Sequence, residues 1–109
     1  MTGFTAEICG ENTNITVQRI ATARGVWESS DAPNTSSGYS AEMIVVAGPD
    51  TIDTVLASAT IVNNNTGFNW SFSTSQLNAL GKGGFIYYFL VTYPDGDVVI
   101  WGQGNFTNL

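Results

Sequence analysis

Apolar and polar residues alternate strictly from Phe68 to Ser73, with Phe68, Trp70 and Phe72 on one side and Asn69, Ser71 and Ser73 on the other. A period of two with one apolar side predicts a strand with one buried face. Thr74 then stands as the N-cap of a short helical turn that carries Leu77 and Leu80 and closes at Gly81. The stretch from Phe85 to Tyr93 (FIYYFLVTY) is apolar on both sides. That pattern predicts a central strand covered on both faces. Pro94-Asp95-Gly96 turns the chain into a hairpin partner, Asp97 to Trp101, and residues 102–109 taper into an exposed edge or tail.

Upstream the signals are shorter. Asn14 to Ile20 reads as a first strand, and Arg24 to Trp27 continues it or opens a second. Glu28 to Tyr39 (ESSDAPNTSSGY) is dense in turn formers without an apolar anchor, which predicts a mobile surface loop. Ser40 to Ala47 is a strand ended by Gly48-Pro49-Asp50. Asp53 to Val62 is another, with Val55, Ala57, Ala59 and Ile61 on one face and Leu56, Ser58, Thr60 and Val62 on the other. The run Asn63 to Gly67 is a turn into the alternating strand. About seven short strands separated by turn signals point to an all-β antiparallel sandwich in one domain, 1–109, with a small barrel as the rival.

Composition adds a core and removes several functions. The chain has 109 residues, 43% hydrophobic and 12% aromatic, enough for one buried core. Charged residues are only 11%, about half the usual share, and Ser, Thr and Asn replace them. Such a surface packs against neighbours without desolvating many ions. Net charge is −6 with three basic residues, Arg19, Arg24 and Lys82. Nucleic acids and anionic membranes both need clustered Lys and Arg, so neither is an expected partner. Cys9 is a lone cysteine, read as a small buried or half-buried thiol. No charged and apolar leader follows Met1, and no run approaches the ~20 apolar residues of a membrane helix. The expectation is a product made in a cytoplasm.

Chemistry is sparse. Histidine is absent, which removes Ser-His-Asp and Cys-His catalysis and the usual zinc sites. Gly81-Lys82-Gly83-Gly84 lacks the spacing and the following Ser/Thr of a phosphate loop and reads as a turn. Asp95 and Asp97 flank a hairpin tip, and Asp50 and Asp53 a Gly-Pro turn. Neither pair makes the dense acidic loop that calcium takes, and turn-forming acids are the simpler reading. No enzyme, cofactor or metal is expected. Asn-x-Ser/Thr triplets such as Asn14-Ile15-Thr16 are what chance gives in a chain this rich in Asn and Thr. Of the three tryptophans, Trp70 belongs to the core face, Trp101 ends an apolar strand, and Trp27, beside the polar loop, is the most exposed. A platform of such rings would stack on sugars, which keeps a carbohydrate-binding or adhesion module as the alternative function.

The C-terminal part carries a further pattern: Thr74, then Leu77 or Leu80, then Gly84-Phe85-Ile86-Tyr87-Tyr88, Asp95-Gly96 and Gly102-Gln103-Gly104-Asn105-Phe106. It resembles the immunoglobulin-like module of tailed-bacteriophage structural proteins, known from the N-terminus of upper baseplate proteins. Asn14 to Arg19 is similar to that module's first strand, more loosely, whereas Ile20 to Gly25 lacks the acidic turn usual there. The resemblance implies an immunoglobulin-like sandwich with one short helical turn. It also implies a non-enzymatic virion protein, without catalytic residues, that docks on other virion proteins as a homo-oligomer or in many copies. Ending at Leu109, the chain is read as a self-contained capsid decoration (cement) or tail/baseplate adaptor. Contacts are expected on the polar loop 28–39 and the C-terminal stretch, with its tail at 105–109. The candidates are Trp27, Glu28, Asp31, Asn34, Tyr39, Trp101, Gln103, Asn105 and Phe106.

Overall fold

Phe68, Trp70 and Phe72 turn inward and Asn69 outward on strand β7 (Phe68–Phe72), as the alternation requires. The computed structural model describes residues 11–29, 32–48 and 53–109. Among them the other strands are β1 (Glu11–Asn12), β2 (Ile15–Val17), β3 (Ala23–Trp27), β4 (Ser40–Val46), β5 (Ala57–Ser58), β6 (Thr60–Asn63), β8 (Gly83–Thr92) and β9 (Val98–Asn108). One helix, α1 (Thr74–Leu80), joins β7 to β8. Cys9, Asp31 and Asp50 lie outside the described residues.

The strands form two sheets. The larger has the order β1–β9–β8–β4–β5, with β2 also on β9, and the smaller has the order β3–β7–β6. Pairing is antiparallel except where β1 and β2 run parallel to β9. First strands beside the last, and the β3–β7–β6 sheet packed across from β4, β8 and β9, make this an immunoglobulin-like β-sandwich. No strand pair joins the two sheets among the described residues, so the barrel alternative falls.

Aromatic rings fill the space between the sheets. Phe68 of the smaller sheet lies against Phe89 at 6.1 Å and Trp101 at 5.7 Å, and Phe72 against Phe106 at 5.4 Å between ring centroids. Antibody domains tie their sheets with a disulfide at this level. Here Trp27 of β3 meets Phe89 of β8 at 5.6 Å instead.

Several expectations change. The stretch 53–62 is two strands, because the chain leaves the larger sheet after Ser58 and enters the smaller at Thr60. Ala59 N–H donates to the Met43 carbonyl at 3.0 Å at the crossing. Its inward face is otherwise as read, with Ala57, Ala59 and Ile61 against the core and Val55 outside, 46% exposed. The first long strand shrinks to Ile15–Val17, and Ile20 stands 87% exposed in the turn before β3. The helix cap is Ser73, not Thr74. Ser73 Oγ accepts from Gln76 N–H at 3.1 Å and Gln76 Oε1 accepts from Ser73 N–H at 2.9 Å, a reciprocal capping box. Gly81 ends the helix at φ 86°, a conformation glycine tolerates best.

The C-terminal stretch is not an exposed tail. Strand β9 runs on to Asn108 with β8 on one side and β1 and β2 on the other, and Phe106 and Asn108 are fully buried. Asn108 Nδ2 donates to the Leu77 and Gly81 carbonyls, each at 2.8 Å, and so ties the end of the helix to the last strand.

Candidate docking surfaces

Loop 28–39 connects β3 to β4 at the end of the sandwich that also carries the 63–67 turn and the 93–97 hairpin. Far from lacking anchors, it is pinned by two buried residues, Ala32 and Thr35. Thr35 Oγ1 donates within 2.9 Å of Asn63 Oδ1 and 3.2 Å of the Gly67 carbonyl, and its N–H donates to the Asn65 carbonyl at 2.9 Å. Asn63 Nδ2 returns a bond to the Thr35 carbonyl. A buried threonine with its polar groups satisfied fixes a loop as firmly as an apolar anchor. Thr66 Oγ1 to Glu28 Oε2, at 3.2 Å, adds a rim contact.

The sequence candidates separate into three groups. Glu28 and Asn34 are exposed at this loop end, where Asn34 Oδ1 accepts from Ser36 N–H at 3.0 Å. Gln103 and Asn105 lie on β9, half-buried and exposed respectively, facing away from the core. The remaining four described candidates are packing residues. Tyr39 stacks on Tyr93 at 5.1 Å, and Trp101 is 2% exposed with its indole N–H donating to Tyr93 Oη at 3.0 Å. Phe106 is buried against Phe72. Trp27 is half-buried, its ring laid on Tyr87, Phe89 and Gly102, where a Cβ would collide with the indole. These placements correct Trp27, Trp101 and Phe106 as surface contacts. They also remove the ring platform on which sugar stacking would depend.

Trp101 enters the core because β8 and β9 slip register between Phe89 and Leu90. Leu90 opposes Ile100 but Phe89 opposes Gly102, so the extra residue, Trp101, joins Gly102 on the inner side. A bulge re-aims a side chain in this way, and strict alternation cannot foresee it.

The outer faces of the two sheets differ in chemistry. On the smaller sheet, Val26, Asn69 and Val62 form one cross-strand row and Arg24, Ser71 and Thr60 the next. On the larger sheet the rows are Glu42–Leu90–Ile100, Ile44–Tyr88–Gln103 and Val46–Ile86–Asn105. Ile44 and Val46 are buried there, and Ile86, Tyr88, Leu90 and Ile100 are half-buried, all outside the central core cluster. This band was legible as the two-sided apolar run 85–93, but its outer side was read as covered and so not as a contact surface.

Titratable groups do not converge. Asp95 Oδ1 accepts from Asp97 N–H at 2.9 Å, a turn bond, and both carboxylates stand in water. Among the described residues no three of His, Cys, Asp and Glu gather where they could hold a metal. Lys82 is exposed between the helix end and β8, without a loop to cradle a phosphate. No described helix is long and apolar enough to cross a membrane.

No family model and no curated protein matches the chain. Among solved structures it is similar to murine CRIg, with 12% identity, a TM-score of 0.48, and coverage of 88% of this chain and 92% of that one. The fold assignment rests on the strand order, not on that likeness.

Proposed function

We propose that the chain is a non-enzymatic docking module of a multi-protein particle, held to its neighbours through the outer face of its larger sheet. The observation behind this reading is β8. A sheet face left to water keeps polar residues at alternate positions. Strand β8 instead places Ile86, Tyr88 and Leu90 there, with Ile100 beside Leu90 and Ile44 beside Tyr88. A protein neighbour covering that band gains about 25 cal/mol for each Å² of apolar surface removed from water. Glu42 is the one charged group in the three rows, so little charge has to be desolvated. The occupant that suits the band is another uncharged sheet face, from a further copy or from a scaffold protein.

The sequence resemblance supports a virion as the particle, with capsid decoration and tail or baseplate attachment as its two settings. The test is attachment. Particles purified with the wild-type chain are expected to carry it, and Leu90→Glu is expected to leave the chain folded in solution but missing from particles. Wild-type attachment by Leu90→Glu overturns the surface, and absence of the wild-type chain from purified particles overturns the virion setting.

A further inference from the structure

The two long sides of the sandwich are closed differently. On one side the chain itself crosses between sheets at Ala59, from β5 to β6. On the other, β3 pairs with β7 alone, and no described residue pairs its outer edge. A cleft of about 490 Å³ opens there between the sheets, lined by Ile15, Val17, Ala23, Arg24 and Trp70 among others. A second groove of about 440 Å³ lies on the outer face of the same edge, with Arg24, Val26, Val62 and Trp70 in its lining. Trp70 reaches both because Gly25 has no side chain. A Cβ at Gly25 would lie 2.8 Å from the indole.

Three properties make this edge a receptor rather than a blunt margin. Free edge strands are normally guarded by proline, lysine or a bulge, and β3 (ARGVW) has none of them. Grooves on both faces give the alternating side chains of an added strand somewhere to go. Arg24 lines both grooves and no carboxylate lines either, although the chain as a whole carries −6. A segment bearing a carboxylate is therefore repelled by most of the surface and attracted here.

We propose that the β3 edge binds an extended segment of a neighbouring protein molecule, apolar at alternate positions and carrying one carboxylate. Backbone hydrogen bonds to β3 hold it. Its apolar side chains enter the cleft over Ile15, Val17 and Trp70, and its carboxylate meets Arg24. The inference rests on the docking reading but uses a different surface from the β8 band, so Leu90→Glu leaves it intact and the two can fail separately.

The test uses the full chain, isotope-labelled, with the capped peptide Thr-Gly-Phe-Thr-Ala-Glu-Ile as probe. The peptide repeats residues 2–8 and has the required alternation. In the free protein, alternate amides of β3 are expected to exchange rapidly. Millimolar peptide is expected to slow them and to shift the Trp70 indole resonance. Arg24→Glu is expected to weaken binding roughly fivefold, the upper range for one exposed ion pair. A peptide with Lys in place of Glu is expected to recover the loss on that variant. Protection of all the β3 amides in the free protein overturns the proposal, because the chain's own residues then cover the edge. So does an absence of β3 shifts with the peptide, or equal binding of it by Arg24→Glu and wild type.

Discussion

Strands β7 and β8 are each central in a sheet and alike on the inside. β7 contributes Phe68, Trp70 and Phe72 to the core, and β8 contributes Tyr87, Phe89 and Val91. They part on the outside, where β7 shows Asn69 and Ser71 and β8 shows Ile86, Tyr88 and Leu90. The inner faces explain why the sandwich holds together, since apolar burial there is equivalent from either sheet. The outer faces have no such duty to the fold. An apolar outer face on only one of two matched strands therefore speaks of a neighbour rather than of folding. Variants on the four faces should separate accordingly.

The largest effects are expected on the inner faces, and they should be similar for both strands. Phe72→Ala and Phe89→Ala each leave a cavity among rings that are fully buried. Each should lower unfolding free energy by about 3–5 kcal/mol, read from the urea midpoint with the slope unchanged. A loss from Phe89→Ala below about 1 kcal/mol would break the comparison, because β8 would then not serve the core as β7 does.

What the sequence shows of this architecture follows from how each residue is buried. Strands β7 and β8 and helix α1 are legible because apolarity alone places their side chains. β9 is not, because its bulge breaks the alternation at Trp101. Gln103, Asn105 and Thr107 then make the strand look like solvent-exposed chain while it pairs on both sides. Loop 28–39 hides its anchor for a related reason. Thr35 is buried through hydrogen bonds to Asn63, Asn65 and Gly67, residues about thirty positions away whose contact no local pattern reports. The contact candidates suffered most, since a ring beside polar residues, such as Trp27, reads as exposed until the facing sheet is in place.

The next effects belong to close approaches between sheets. Gly102→Ala drives a methyl group into the indole of Trp27, the ring that links β3 to β8. The expected cost is about 1–3 kcal/mol, the range for overpacking, visible as a lower Tm and a changed Trp27 fluorescence. Asn108→Ala removes the donor shared by the Leu77 and Gly81 carbonyls. About 1–3 kcal/mol is expected, the usual range when a buried acceptor loses its partner. Faster amide exchange confined to residues 77–81 would place that loss at the end of the helix. The Oδ1 of Asn108 is itself buried without a partner, which favours the lower half of that range.

The smallest stability effects should come from the outer faces, and there the two strands should differ in kind. Asn69→Thr on β7 and Leu90→Thr on β8 both keep a residue suited to a strand. Asn69→Thr is expected to change stability by less than about 0.5 kcal/mol and to leave attachment to particles as it was. Leu90→Thr removes a half-buried apolar side chain, so a loss of up to about 1 kcal/mol is expected in the isolated protein. Its attachment, measured by co-sedimentation with purified particles, should fall by far more than that stability change accounts for. Equal attachment by the two variants would return β8 to the same footing as β7. Its outer apolar residues would then be strand formers on a solvated face, and the docking surface would have to be sought at the β3 edge.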